Sequence, residues 1–129
     1  MPLNTVGTTA DQTYQGQIAN LSAASIVYIP IAGNGRLVEG RCAQSAATTV
    51  APAVITIRKF TGGVAASTVV CGTITVTHTG SGIGSTSALV PTGSDSALNF
   101  APGDTLVIDN AAGSTTASVG NFTFTIRGL

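Results

Sequence analysis

Asp95, Asp104 and Asp109 fall in one stretch of the sequence, and a hard cation such as calcium takes several oxygen ligands held close together. Their spacing fits no cation-binding loop. Pro102-Gly103-Asp104 is complete as a turn whose Asp side chain bonds its own backbone. Glycoside hydrolysis asks for two carboxyl groups within about 5–10 Å of each other. Glu39 is the one glutamate, and strand alternation puts it on the same face as Arg41, which predicts a surface ion pair. His78 is the one histidine, and no strand–turn–helix pattern raises a serine nucleophile beside it. A part-exposed side chain at a strand end is the expectation there. Gly80, Gly82 and Gly84 imitate a phosphate-cradling loop, but no helix follows to aim its N-terminus at an anion. Cys42 and Cys71 sit inside strand patterns with no further Cys or His at zinc-ligand spacing. The expectation is no catalytic, cofactor-binding or metal-binding residue and no cofactor.

The elements that would position these residues follow a period of two rather than a helical one. Strands are expected near 15–21 and over 25–31, the latter with Val27, Ile29 and Ile31 on one face and Ile26 and Tyr28 on the other. Gly33-Asn34-Gly35 supplies residues tolerant of positive φ for a tight hairpin. Over 36–43, Val38, Gly40 and Cys42 form the expected core face, and Gly40 leaves room for a bulge or close packing. Over 53–60, Ile55 and Ile57 point inward, and Thr61-Gly62-Gly63 makes the next hairpin. Over 68–79, Val70, Ile74 and Val76 share a face opposite Thr73, Thr75 and Thr77, a ladder that is β-favouring and polar without charge. A long Gly/Ser/Thr loop spans 80–99 with a short strand at 88–90; further strands cover 105–109 and 121–127, with Phe122, Phe124 and Ile126 inward. Seven or eight strands joined by turns predict a single all-β domain, an antiparallel β-sandwich or jelly roll over 15–129. Residues 1–14, Thr-rich and without periodicity, read as a flexible N-terminal arm that orders only on assembly.

Composition restricts the partners. Only 8% of the chain is charged, five basic against five acidic residues, where a cytosolic domain carries about a quarter. Arg36, Arg41, Arg58, Lys59 and Arg127 are too few and too dispersed for phosphate neutralisation, so nucleic acid is not expected. No apolar run approaches the ~20 residues of a membrane span, and no basic and apolar leader opens the chain. The expectation is a protein made and used without secretion, in which Cys42 and Cys71 stay as buried free thiols. A surface this weakly charged suits packing against copies of itself or a larger lattice.

The stretch Asn99-Phe100-Ala101-Pro102-Gly103-Asp104-Thr105-Leu106-Val107-Ile108 resembles the Gly-Asp turn and strand of trimeric jelly rolls, both the TNF/C1q type and small phage capsid proteins. Phe122-Thr123-Phe124-Thr125-Ile126 resembles their final core strand. In composition and organisation the chain is similar to head decoration (cement) proteins of tailed bacteriophages over roughly residues 20–129. The resemblance implies a non-enzymatic virion protein, made in the host cytoplasm, that sits on the capsid surface as a homotrimer and bridges major capsid subunits. A host-binding or carbohydrate-binding module of a head fibre or tail is the alternative it leaves.

Overall fold

A strand that alternates apolar and polar side chains can bury only one face, so such strands must form sheets that cover each other. The computed structural model describes residues 11–46, 52–76, 84, 86–111 and 118–128. Its strands are β1 (Gln12–Ile18), β2 (Ser25–Pro30), β3 (Gly35–Gln44), β4 (Ala53–Phe60), β5 (Thr68–Val76), β6 (Thr86–Pro91), β7 (Asn99–Phe100), β8 (Thr105–Asn110) and β9 (Gly120–Gly128). A single four-residue turn of helix, α1 (Asp95–Leu98), precedes β7.

Every pairing is antiparallel. One sheet runs β1-β9-β3-β6 and the other β2-β8-β4-β5. Strand β6 belongs to both: residues 86–88 pair with β3 and residues 89–91 with β5, joining the sheets along one side. This strand order is that of a jelly roll, so the chain is the expected all-β sandwich, nearly closed like a barrel. The two-residue β7, paired with the start of β3, brings the count to nine where seven or eight strands are expected. The inward faces meet in one apolar core around Ile55, Ile57, Leu106, Ile108, Phe122, Phe124 and Ile126. The Phe122 and Phe124 rings lie parallel, their centroids 6.3 Å apart.

Two bulges change which side chains face inward. Leu37 pairs with Ile126 and Glu39 with Thr125, so Val38 is an extra residue on β3. A bulge resets the alternation by one. Leu37 is therefore 2% exposed and Val38 40%, against the expectation that Val38 shares the core face with Gly40 and Cys42. Gly40 keeps its inward place because a Cβ there would stand 2.9 Å from Phe124 Cδ1. On β5, Ile57 pairs with Gly72 and Arg58 with Val70, leaving Cys71 as the extra residue. Cys71 turns into the core with Ile74 and Val76, while Val70, expected beside them, points out.

Three further expectations are corrected. Strand β1 starts at Gln12, so Gln12, Thr13 and Tyr14, assigned to the arm, pair with Ile126, Thr125 and Phe124. Tyr14 also packs against the core and accepts a hydrogen bond from Ala32 N through its hydroxyl, at 3.1 Å. Gly33-Asn34-Gly35 forms no tight hairpin: β2 pairs with β8 and β3 with β9, so this segment crosses between the sheets. The turn at Thr61-Gly62-Gly63 does link paired strands, β4 and β5, with φ of 64° and 73° at the two glycines. The arm over residues 1–10 and the strand extension over 77–79 lie outside the described residues.

Candidate interaction surface

The outer face of the β2-β8-β4-β5 sheet is built from cross-strand rows fixed by the register. One row reads Ile26, Asp109, Thr56, Thr73 and Val90. The next reads Tyr28, Val107, Arg58 and Val70, and a third Pro30, Thr105, Phe60 and Thr68. Tyr28 and Phe60 pack with ring centroids 5.9 Å apart. Val107 lies on this outer side yet is 1% exposed, flanked by its register partners Tyr28 and Arg58. Around this patch Ile26, Val54 and Val70 are exposed, with Tyr28 at 57% and Val90 at 61%. Large apolar side chains grouped on one exposed face mark a docking surface more often than scattered ones do. Its threonines, Thr56, Thr73 and Thr75, add hydrogen-bonding capacity without charge.

No charge on this face is free. Arg58 Nε bonds Asp109 Oδ2 at 3.2 Å, both side chains about a third exposed. The same holds for every Asp, Glu, Lys and Arg of the chain, five acids and five bases. Arg36 pairs with Asp95 at 2.9 Å, Arg41 with Glu39 at 3.2 Å and Arg127 with Asp11 at 3.3 Å. Asp104 is buried, accepting hydrogen bonds from Gly62 N at 2.8 Å and Ala101 N at 3.0 Å. It closes the Pro102-Gly103 turn as expected, with φ 93° at Gly103. Lys59 is buried with no carboxylate partner; its ammonium donates to Ser96 O and Asn99 O, each at 2.8 Å, and lies 5.6 Å above the Phe100 ring.

The candidate chemical groups are therefore dispersed. Asp95, Asp104 and Asp109 hold an arginine, two backbone amides and another arginine respectively, and no group of three metal-ligating side chains forms among the described residues. Glu39 has Arg41, the ion pair read from the alternation. His78, Gly80 and Gly82 lie outside the described residues; Gly84 has φ 81°. Cys42 and Cys71 are free and buried, and burial pushes their thiols up to about 12 and about 11. The nearby Lys59 ammonium partly offsets the rise at Cys71, whose Sγ–H donates to Ala97 O at 3.2 Å. Lys59 is the structural residue that sequence reasoning missed, although it continues the inward phase of Ile55 and Ile57.

No protein-family model matches the chain, and no curated protein matches it in sequence. The jelly roll alone assigns no function, since one fold hosts many.

Proposed function

We propose that this chain is a non-enzymatic structural protein of a virion: a capsid decoration protein that assembles as a homotrimer and bridges major capsid subunits. The observation that carries the reading is the outer face of the β2-β8-β4-β5 sheet, apolar and threonine-rich with its one ion pair closed on itself. Such a face gains by being covered and meets no charge repulsion when copies approach. The ten charged side chains support the non-enzymatic part, because each already serves a structural partner. Covering the exposed halves of Ile26, Tyr28, Val54, Val70 and Val90 contributes about 1 kcal/mol apiece. Association itself costs on the order of 4–15 kcal/mol, so contacts beyond these five side chains must contribute to a stable assembly.

The strand order and the sequence of the Gly-Asp turn support the phage-capsid resemblance, and the number of copies, three, is what that resemblance implies. The test is mass spectrometry and electron cryomicroscopy of purified particles. Density for this jelly roll on the outer shell at threefold positions is the expected result. Particles that lack the chain, or that carry it inside the shell, overturn the assignment.

A further inference from the structure

The opposite side of the sandwich differs. On the outer face of β1 and β9 the register stacks three cross-strand pairs: Thr13 with Thr125, Gln15 with Thr123 and Gln17 with Asn121. All six side chains are uncharged, and each carries a hydrogen-bond acceptor and at least one donor. Between the rows Gln15–Thr123 and Gln17–Asn121 runs a furrow of about 480 Å³, floored by the backbone of Gly16 and Phe122. Gln17 Nε2 donates to Asn121 Oδ1 at 2.9 Å, which fixes the two amides edge to edge. That bond leaves Gln17 Oε1 as an acceptor and Asn121 Nδ2 as a donor on residues that line the furrow, and Gln15 makes no side-chain hydrogen bond within the described residues.

We infer that this furrow is a binding site for a neutral oligosaccharide. Sugar hydroxyls donate and accept at once, and carboxamides and threonine hydroxyls match them on both counts. A charged ligand would need a counter-charge. The nearest charges along the rows are Arg41, the β3 partner of Thr123, and Glu39, the partner of Thr125, and these two neutralise each other at 3.2 Å. A peptide would add more naturally at a strand edge, through backbone groups, than across a face of side chains. The site lies on the other sheet from the apolar docking face. The inference stands on the furrow alone and does not depend on the capsid reading.

The test is a titration of the full ¹⁵N-labelled chain with cellotetraose, maltotetraose and chitotetraose, following the side-chain amides of Gln15, Gln17 and Asn121 by NMR. A neutral Gly-Ser tetrapeptide is the control. The furrow is open and without an aromatic platform, so saturable shifts at these amides with a Kd of about 1–10 mM are expected for at least one saccharide. The double variant Gln15→Ala/Asn121→Ala, altered at exposed positions, should keep the dispersed backbone spectrum and weaken binding by about tenfold or more. Absence of saccharide-induced shifts at these amides overturns the inference. Equal shifts with the tetrapeptide, or saccharide binding unchanged in the double variant, also overturn it.

Discussion

Replacing Lys59 by Met keeps the length and most of the volume of a buried side chain and removes its ammonium. Two carbonyl oxygens, of Ser96 and Asn99, then lose a charged donor at 2.8 Å, and the Phe100 ring loses the cation above it. These carbonyls belong to the end of α1 and the start of β7, where a helix leaves its last C=O groups without partners of its own. A hydrogen bond to a charged group is worth about 1.5–3 kcal/mol, and an abandoned buried acceptor costs about 1–3 kcal/mol. Gains from no longer burying an ammonium offset part of this, so a net loss of about 2–4 kcal/mol is expected. For a domain of this size that lowers Tm by on the order of 10 °C. Urea unfolding followed by far-UV circular dichroism and a thermal scan measure both quantities. A loss below about 1 kcal/mol would refute the claim that Lys59 clamps this segment to the sheet.

Other consequences follow from the buried groups. Cys42 and Cys71 should resist thiol reagents in the folded protein at pH 8 and label fully in denaturant; rapid native labelling contradicts their burial. Their folded pKa values, about 12 and about 11, lie above the ordinary 9.0, so the unfolded chain loses these protons first. Stability should therefore be flat below pH 9 with respect to these groups and fall as pH rises from there toward 12, a decline absent from the Cys42→Ala/Cys71→Ala variant. Gly40→Val should destabilise by about 1–3 kcal/mol, because the first added atom already meets Phe124 at 2.9 Å; an unchanged urea midpoint would contradict that packing. Asp104→Ala should cost about 1–3 kcal/mol by stranding the Gly62 and Ala101 amides, read as faster hydrogen exchange at those two positions.

Much of the fold is legible in the residues because alternation is a local signal. Ile55 and Ile57, Phe122 through Ile126, and the Gly62-Gly63 and Gly103 turns needed only their own neighbours to be read. Val38 and Val70 defeated the alternation for one reason: a bulge is set by the partner strand, β9 for one and β4 for the other. The Gly33-Asn34-Gly35 segment has the composition of a hairpin, yet strand order is decided by long-range pairing that no turn sequence encodes. Tyr14 reads as part of the arm because its β1 neighbours Gln12, Thr13, Gln15 and Gln17 are polar; only pairing with β9 makes them a strand. The two surfaces were half visible. Threonines and uncharged amides were plain in the composition, but their arrangement into an apolar face on one sheet and a furrow on the other depends on register across strands distant in sequence.

Sedimentation velocity of the purified chain, from about 0.05 to 1 M NaCl, separates apolar from charge-driven assembly, because salt screens free charges and leaves apolar burial intact. With eight charged side chains in internal ion pairs and Lys59 and Asp104 held by backbone groups, a trimer is expected at micromolar concentration whose sedimentation is the same at both ends of that range. Tyr28→Lys/Val90→Lys, which charges the outer face of the β2-β8-β4-β5 sheet, should sediment as a folded monomer. A wild-type monomer, an oligomer that dissociates as salt rises, or a double variant that still forms the trimer would contradict it.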